Sequence, residues 1–247
     1  ITINKNITIN GNGAILDADN RFGIMNIAED VSGTLKNLTF INGKETSNNG
    51  GGAIYSKGNL TIDSCHFKNT TATENNGGAL SIAYGRLFVT NSTFTNTTAK
   101  GDVGAIGINT LSVVITVSNS IFTNATSNRM GGAIMAHSVY VSNSTFNGTE
   151  SDADGGAING GTTGGVTVIG SNFINTNARS GGGAISGVNL NISYSNFINN
   201  TDTQFGSAIF AMDDFNLSNS RFIENNSTGK EIIYLIGGNV NLNNNTI

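Results

Sequence analysis

The chain has 247 residues, a formal net charge of −4 and only 11% charged residues. Its few basic residues form no stripe, which argues against nucleic acid as a partner, and no apolar run in this segment is long enough to span a membrane. A single cysteine excludes a disulfide framework.

The chain opens on two strand-like stretches, residues 1–3 and 7–9, in which isoleucine and polar residues alternate. The Asn- and Gly-rich residues 10–13 follow as a predicted turn. Because residues 1–22 lack the sequence motif that recurs later in the chain, we interpret them as an atypical first coil.

A pattern then recurs at an interval of about 24–28 residues, which is typical of a solenoid. Each repeat has aliphatic residues seven and five positions before a phenylalanine, with polar residues between them. This alternation has the period of a half-buried strand and not of a helix. The phenylalanine column consists of Phe40, Phe67, Phe94, Phe122, Phe146, Phe173, Phe197 and Phe222.

Two polar columns flank each phenylalanine. From Phe67 onward, the position two residues before it holds serine, or Cys65 in one repeat, and the position two residues after it is usually asparagine. Strand parity predicts that both columns point inward, with each asparagine hydrogen-bonded to its equivalents above and below. The predicted ladder is Asn42, Asn69, Asn96, Asn124, Asn175 and Asn199.

A second strand begins at Gly-Gly-Ala-Ile, seen at residues 51–54. Paired glycines suit a sharp corner, the isoleucine is predicted to face inward, and the alanine is predicted to face outward. Beside this alanine column stand Tyr55, Met135, Phe210 and Tyr234, which form a possible contact face. The alternative is that the corner requires alanine for steric reasons.

Identical columns that recur in one chain direction predict parallel, in-register stacking. We therefore expect an all-β, single-domain, right-handed parallel β-helix over residues 1–247, with two or three short strands per coil. Nine to ten coils rising ~4.8 Å each would form a rod of about 45–50 Å. The last repeat ends without a cap, and we expect further coils or, alternatively, a partner at that edge.

Few side chains are candidates for catalytic groups or metal ligands. Glu150, Asp152 and Asp154 lie close together in sequence, which suggests either a weak Ca²⁺ site or, in our preferred interpretation, a solvated turn. His66 and His137 occupy non-equivalent columns without a nucleophile in register. The loops are short, so we expect no cleft with convergent carboxylates, no catalytic residues, no cofactor and no enzymatic activity.

Several motifs of this chain resemble those of two related groups of proteins. They are the Gly-Gly-Ala-Ile and Phe-x-Asn motifs, the Asn-Leu-Thr-Ile strands and the opening sequence Ile-Thr-Ile-Asn-Lys-Asn-Ile-Thr-Ile-Asn-Gly-Asn-Gly. The two groups are the adhesin-like surface proteins of methanogenic archaea and the chlamydial polymorphic outer membrane proteins, and the resemblance covers residues 33–247. Asparagine here stands two residues after phenylalanine, where the chlamydial repeat has three, so the archaeal group is the better match. The resemblance implies a secreted, cell-surface protein with an adhesive role.

We accordingly expect an extracellular, adhesin-like rod that contacts other cell surfaces, proteins or glycans. One alternative is a structural unit of a surface filament or sheath that assembles with copies of itself through its ends or faces. A second alternative is a β-helix protein that binds or degrades polysaccharides.

Overall fold

The computed structural model describes residues 1–110, 112–229 and 231–247. Every helix or strand assigned within them is a β-strand, and the paired strands run parallel. They stack as a parallel β-helix of about nine turns. This confirms the all-β solenoid architecture that the repeated columns predicted.

Three sheets form the faces of the rod, and each takes corresponding strands from successive coils. Sheet A has ten strands: Thr2–Ile3, Met25–Ile27, Ile54–Ser56, Leu80–Ile82, Ile106–Ile108, Ile134–Met135, Ile158–Asn159, Ile185–Gly187, Ile209–Ala211 and Ile233–Leu235. Sheet C has eight: Lys44–Glu45, Thr71–Ala72, Thr98–Ala99, Thr126–Ser127, Glu150–Ser151, Asn177–Ala178, Thr201–Asp202 and Asn226–Ser227.

Sheet B has 17 strands because most coils contribute two. Those before the corner are Ile7–Asp17, Gly33–Ile41, Leu60–Asp63, Arg86–Thr90, Val114–Ser118, Ser138–Ser142, Gly165–Ile169, Leu190–Ser193, Phe215–Ser218 and Val240–Asn243, the first two continuing past it. Those after it are His66–Lys68, Thr93–Thr95, Ile121–Thr123, Thr145–Asn147, Asn172–Ile174, Asn196–Ile198 and Arg221–Ile223. A typical coil therefore has four strands. The two-residue strands of sheet C were not predicted because they are too short to show an alternation.

The first coil differs from its prediction at residues 10–13. These residues are not a turn between strands but part of the single strand Ile7–Asp17, which pairs with Gly33–Ile41. The pairing register shifts between Asn10 and Ala14, and Asn12 and Gly13 have φ values of 50° and 82°. The left-handed conformation that Asn and Gly favour here makes an irregularity within the strand.

The phenylalanine column forms a continuous stack in the core. Neighbouring ring centroids are separated by 4.7 to 5.0 Å, as in the pairs Phe94–Phe122 and Phe146–Phe173, and the planes of the Phe67–Phe94 pair differ by 7°. Every ring from Phe40 to Phe197 in the column is fully buried, and Phe222 is 6% exposed. The prediction of an inward aromatic column is confirmed.

The serine column is buried beside this stack and satisfies the backbone at the sheet B corner. The backbone N–H of Ser120 donates to Ser144 Oγ at 3.2 Å, and Ser144 N–H donates to Ser171 Oγ at 3.2 Å. Each hydroxyl in turn donates to the carbonyl two residues earlier, as from Ser144 Oγ to Ser142 O at 2.8 Å. Serine is suited to this column because its hydroxyl both donates and accepts.

The asparagine column does not lie inside, and that part of the prediction is wrong. The side chains of Asn69, Asn96, Asn124, Asn175 and Asn199 are exposed and that of Asn42 is half-buried. All six residues have φ between 52° and 54°. A left-handed residue turns the chain, so strand parity cannot be carried past it. The amides nevertheless bond in series, for example from Asn96 Nδ2 to Asn69 Oδ1 at 3.2 Å.

The alanine column is buried and not outward, which corrects a second parity argument. Ala53, Ala79, Ala105, Ala133, Ala157, Ala184 and Ala208 are fully buried in the core. The N–H groups of Ala53 and Ile54 both donate to Ala79 O, at 2.9 and 3.0 Å. Two successive donors on one carbonyl interrupt the alternation as a bulge does, so alanine and isoleucine both face inward.

Candidate functional site

The outer column of sheet A lies largely beneath neighbouring loops, and a groove opens along it near Met135. Tyr55, Ser81 and Gly107 are paired in register in this column, and Met135, Asn159, Ser186, Phe210 and Tyr234 continue it. The loops that precede the glycine pairs lie over one side of the column, so that a Cβ on Gly107 would meet Asn76 Cβ and Gly77 N at 3.0 Å.

The predicted contact face therefore forms the floor of this groove and not a flat exposed surface. Tyr55, Met135 and Tyr234 are half-buried, and Phe210 is only 8% exposed. The prediction of Phe210 as an exposed anchor is wrong because Phe205 and Tyr234 cover it, with ring centroids 6.0 and 5.8 Å away.

The groove deepens into a polar cleft of about 510 Å³. Its lining is Asn48, Asn75, Asn76, Asp102, Ile108, Asn109, Thr110, Met135 and His137. The column carries its smallest side chains here, Ser81 and Gly107, between the larger Tyr55 and Met135. The cleft forms between short loops, without a long insertion.

Hydrogen bonds fix both walls of the cleft. On one wall, Asn76 Oδ1 accepts from the Asp102 backbone N–H at 2.9 Å, and Asn75 Nδ2 donates to Asn48 O. Asn109 Nδ2 on the opposite wall crosses the floor to Asn49 O at 3.2 Å. The amide side chains are thus held in place before any molecule enters, which lowers the ordering cost of binding.

The cleft has little net charge. Asp102 Oδ1 is 3.0 Å from Arg129 Nε, although the two groups are not aligned as a hydrogen bond. His137 Nδ1 lies 2.9 Å from Thr163 O. Thr163 Oγ1 also lies 2.6 Å from His137 Nδ1, so the ring is held against Thr163 by two contacts.

Glu150, Asp152 and Asp154 do not come together as a cation site. Glu150 is an exposed residue of sheet C, Asp152 Oδ1 is 3.2 Å from Arg179 Nε, and burial raises the pKa of the Asp154 carboxyl. In the part of the chain that the structure describes, no three His, Cys, Asp or Glu residues are grouped so as to hold a metal ion.

The side chains of Cys65 and His66 contact other parts of the β-helix. Cys65 is fully buried, and burial raises the pKa of its thiol, which lowers the thiolate fraction. His66 Nδ1 lies 2.8 Å from Thr93 Oγ1 on the next coil.

Sheet B carries a separate apolar patch that the sequence analysis missed. Phe88, Ile121, Tyr140 and Ile169 are each between 45% and 53% exposed. Phe88 and Tyr140 are aligned in one outward column with Thr116 between them. Apolar residues at the polar positions of an alternating strand were the available signal.

No helix among the described residues is long and apolar enough to cross a membrane. The fold and groove define a parallel β-helix with a polar cleft on one face. No protein-family model, curated protein or solved structure matches the chain.

Proposed function

We propose that the chain is part of an extracellular, adhesin-like surface protein, like those of the methanogenic archaea that its repeats resemble. In this proposal it is a rigid rod that presents binding surfaces away from the cell and attaches them to other cells, proteins or glycans. The contrast between the two sides of sheet A supports the proposal best.

The inward column of sheet A is nearly uniform, and the outward column beside it is not. Ile54 and Ile134 are fully buried at equivalent positions, whereas the adjacent outward positions hold the half-buried and unlike Tyr55 and Met135. A solenoid built this way keeps its core constant and varies its surface, which is how repeat scaffolds carry recognition.

Attachment of beads tests the proposal. Beads coated with the purified chain are washed over cells and over surfaces coated with cell-envelope material, and retention under flow is counted. We expect saturable retention that excess soluble chain abolishes. Retention equal to that of albumin-coated beads on every surface would contradict an adhesive role.

The alternative of a filament or sheath unit draws support from the apolar patch on sheet B. Exposed apolar groups of this size favour association with another surface. In that case the rods associate side by side, and Tyr140→Ser should shift the sedimentation profile toward monomer. A wild-type chain that stays monomeric at high concentration would exclude lateral assembly through this patch.

The alternative of a polysaccharide-degrading enzyme finds less support. Hydrolysis of a glycosidic bond ordinarily uses two carboxyl groups on either side of it, and Asp102 is the one carboxylate among the described residues that line the cleft. We propose binding without cleavage. Release of reducing ends from any polysaccharide by the purified chain would contradict this.

A further inference from the structure

We propose that the sheet A cleft, lined by Asn48, Asn75, Asn76, Asp102, Asn109 and His137 among others, is a binding site for an uncharged oligosaccharide. The inference rests on the adhesive function and names the class of molecule that this part of the groove would recognise. It follows from the donor and acceptor chemistry of the lining, its apolar floor and its charge.

Amides dominate the polar lining. Each asparagine side chain offers two N–H donors and a carbonyl acceptor, a combination that matches a sugar hydroxyl, which donates and accepts at once. Asn48 is exposed at the rim, and His137 adds an imidazole ring to the lining. Several hydroxyls in a row can therefore be paired without leaving buried polar groups unsatisfied.

The floor supplies the apolar part of the site. Met135 is half-buried beside the amides in the cleft lining, and it can cover the C–H face of a pyranose ring. The volume of about 510 Å³ falls within the range of roughly 300–1,000 Å³ that is usual for small-molecule sites.

The charged groups in and beside the cleft favour an uncharged ligand. Asp102 is the one acidic side chain in the lining, and Arg129 partly balances it. An anionic sugar would meet Asp102 with no cation among the described lining residues, and a cationic one would compete with Arg129. A peptide strand is disfavoured because the sheet A backbone bonds to neighbouring coils, as from Ile106 N to Ala133 O at 2.8 Å.

One variant fills the cleft without bringing a new type of side chain to the column. Met135→Phe enlarges the floor residue, and Phe210 and Tyr55 already hold aromatic rings at corresponding places in this column. Tyr234→Met is the matched control, because it alters the same column away from the cleft.

A second pair of variants tests the rim. Asn48→Ala removes an exposed amide at the rim, and its control Asn128→Ala removes an exposed amide on a loop outside the lining.

The test is a titration of the ¹⁵N-labelled chain with neutral hexose and N-acetylhexosamine oligosaccharides, uronic-acid oligosaccharides and short polar peptides. We expect neutral oligosaccharides alone to shift the resonances of Asn48, Asn75, Asn109 and His137. Met135→Phe and Asn48→Ala should each weaken the best of them by about tenfold or more, and both controls should bind as wild type does. Stronger binding of uronic acids or peptides, no shifts with any probe, or unchanged affinity in a folded Met135→Phe chain would overturn the proposal.

Bead attachment separates this inference from the adhesive function. If Met135→Phe beads attach as wild type does while the sugar titration fails, the adhesive function stands and the saccharide site is wrong. If neutral sugars bind in the cleft but wild-type beads attach to nothing, the saccharide site stands and the adhesive function is wrong.

Discussion

The phenyl rings of Phe146 and Phe173 lie 5.0 Å apart at their centroids, with planes only 1° from parallel. The two residues are paired in register on adjacent coils. The distance between the rings is therefore close to the spacing of parallel strands. This relationship, repeated along the core, makes each coil depend on its neighbours.

Removal of one ring from the middle of the stack should destabilise the rod strongly. Phe146→Ala should lower the free energy of unfolding by about 3–5 kcal/mol, because it leaves a cavity between Phe122 and Phe173. Phe88→Ala removes a ring that is 45% exposed and should change stability by no more than about 0.5 kcal/mol. Urea unfolding followed by circular dichroism measures both, and similar losses would contradict the stacked core.

The turn after the second sheet B strand of a coil should discriminate between small residues by backbone conformation. Asn124 has a φ of 52° in this turn, and Gly148 occupies the equivalent position of the next coil with a φ of 62°. Asn124→Ala should cost about 1–2 kcal/mol, since alanine is strained in the left-handed region. Asn124→Gly removes the same ladder bonds without that strain and should cost less. If thermal unfolding shows that glycine is as harmful as alanine, the amide ladder and not the turn determines this position.

A buried carboxyl should make stability depend on pH. Asp202 is 3% exposed, its Oδ2 has no hydrogen-bond partner, and burial is the main cause that raises the pKa of this carboxyl above its ordinary value of 3.8. The folded state thus holds the proton more tightly than the unfolded state. The stability that this group contributes is present below pH 3.8 and is lost as the pH rises through the folded pKa.

Asp202→Ser should therefore stabilise the chain at about pH 7, by roughly 1–3 kcal/mol. Serine is suited to this position because Ser227 occupies it one coil later. Ser227 Oγ accepts from the backbone N–H of Gly229 at 3.1 Å, and Asp202 Oδ1 accepts in the same way from the backbone N–H of Gln204. The gain should shrink as the pH falls toward 3.8. Asp213→Ser, at an exposed site outside the left-handed region, is the control. A gain independent of pH would show that desolvation of the carboxylate is not the cause.

The inward or outward direction of a column could be predicted from the sequence where the column lies within a strand. It could not be predicted where the column lies at a corner between strands. Phe122 and Ile106 were placed correctly because each lies within a strand whose apolar residues recur at a constant position. Asn124 and Ala105 were placed on the wrong side because a left-handed residue and a shared carbonyl shift the parity. A parity argument ends wherever the backbone leaves the extended region.

The cleft could not be predicted because it depends on distant parts of the chain. Its lining residues, from Asn48 to His137, come from successive coils, and one wall is fixed by a bond between Asn109 and Asn49, 60 residues apart. The candidates Tyr55 and Met135 were correctly found in one outward column. Their half-burial depends on loops from neighbouring coils, which no local pattern in the sequence records.

Oxidative footprinting of the attached chain tests the central claim most directly. Beads carrying the chain are attached to a target surface and exposed briefly to hydroxyl radicals, and oxidation is compared with that of free beads. We predict that attachment protects Met135 and His137 in the groove and leaves Phe88 and Tyr140 on sheet B as oxidised as before. Protection of the sheet B residues alone, or of none of these residues, would contradict recognition through the sheet A groove.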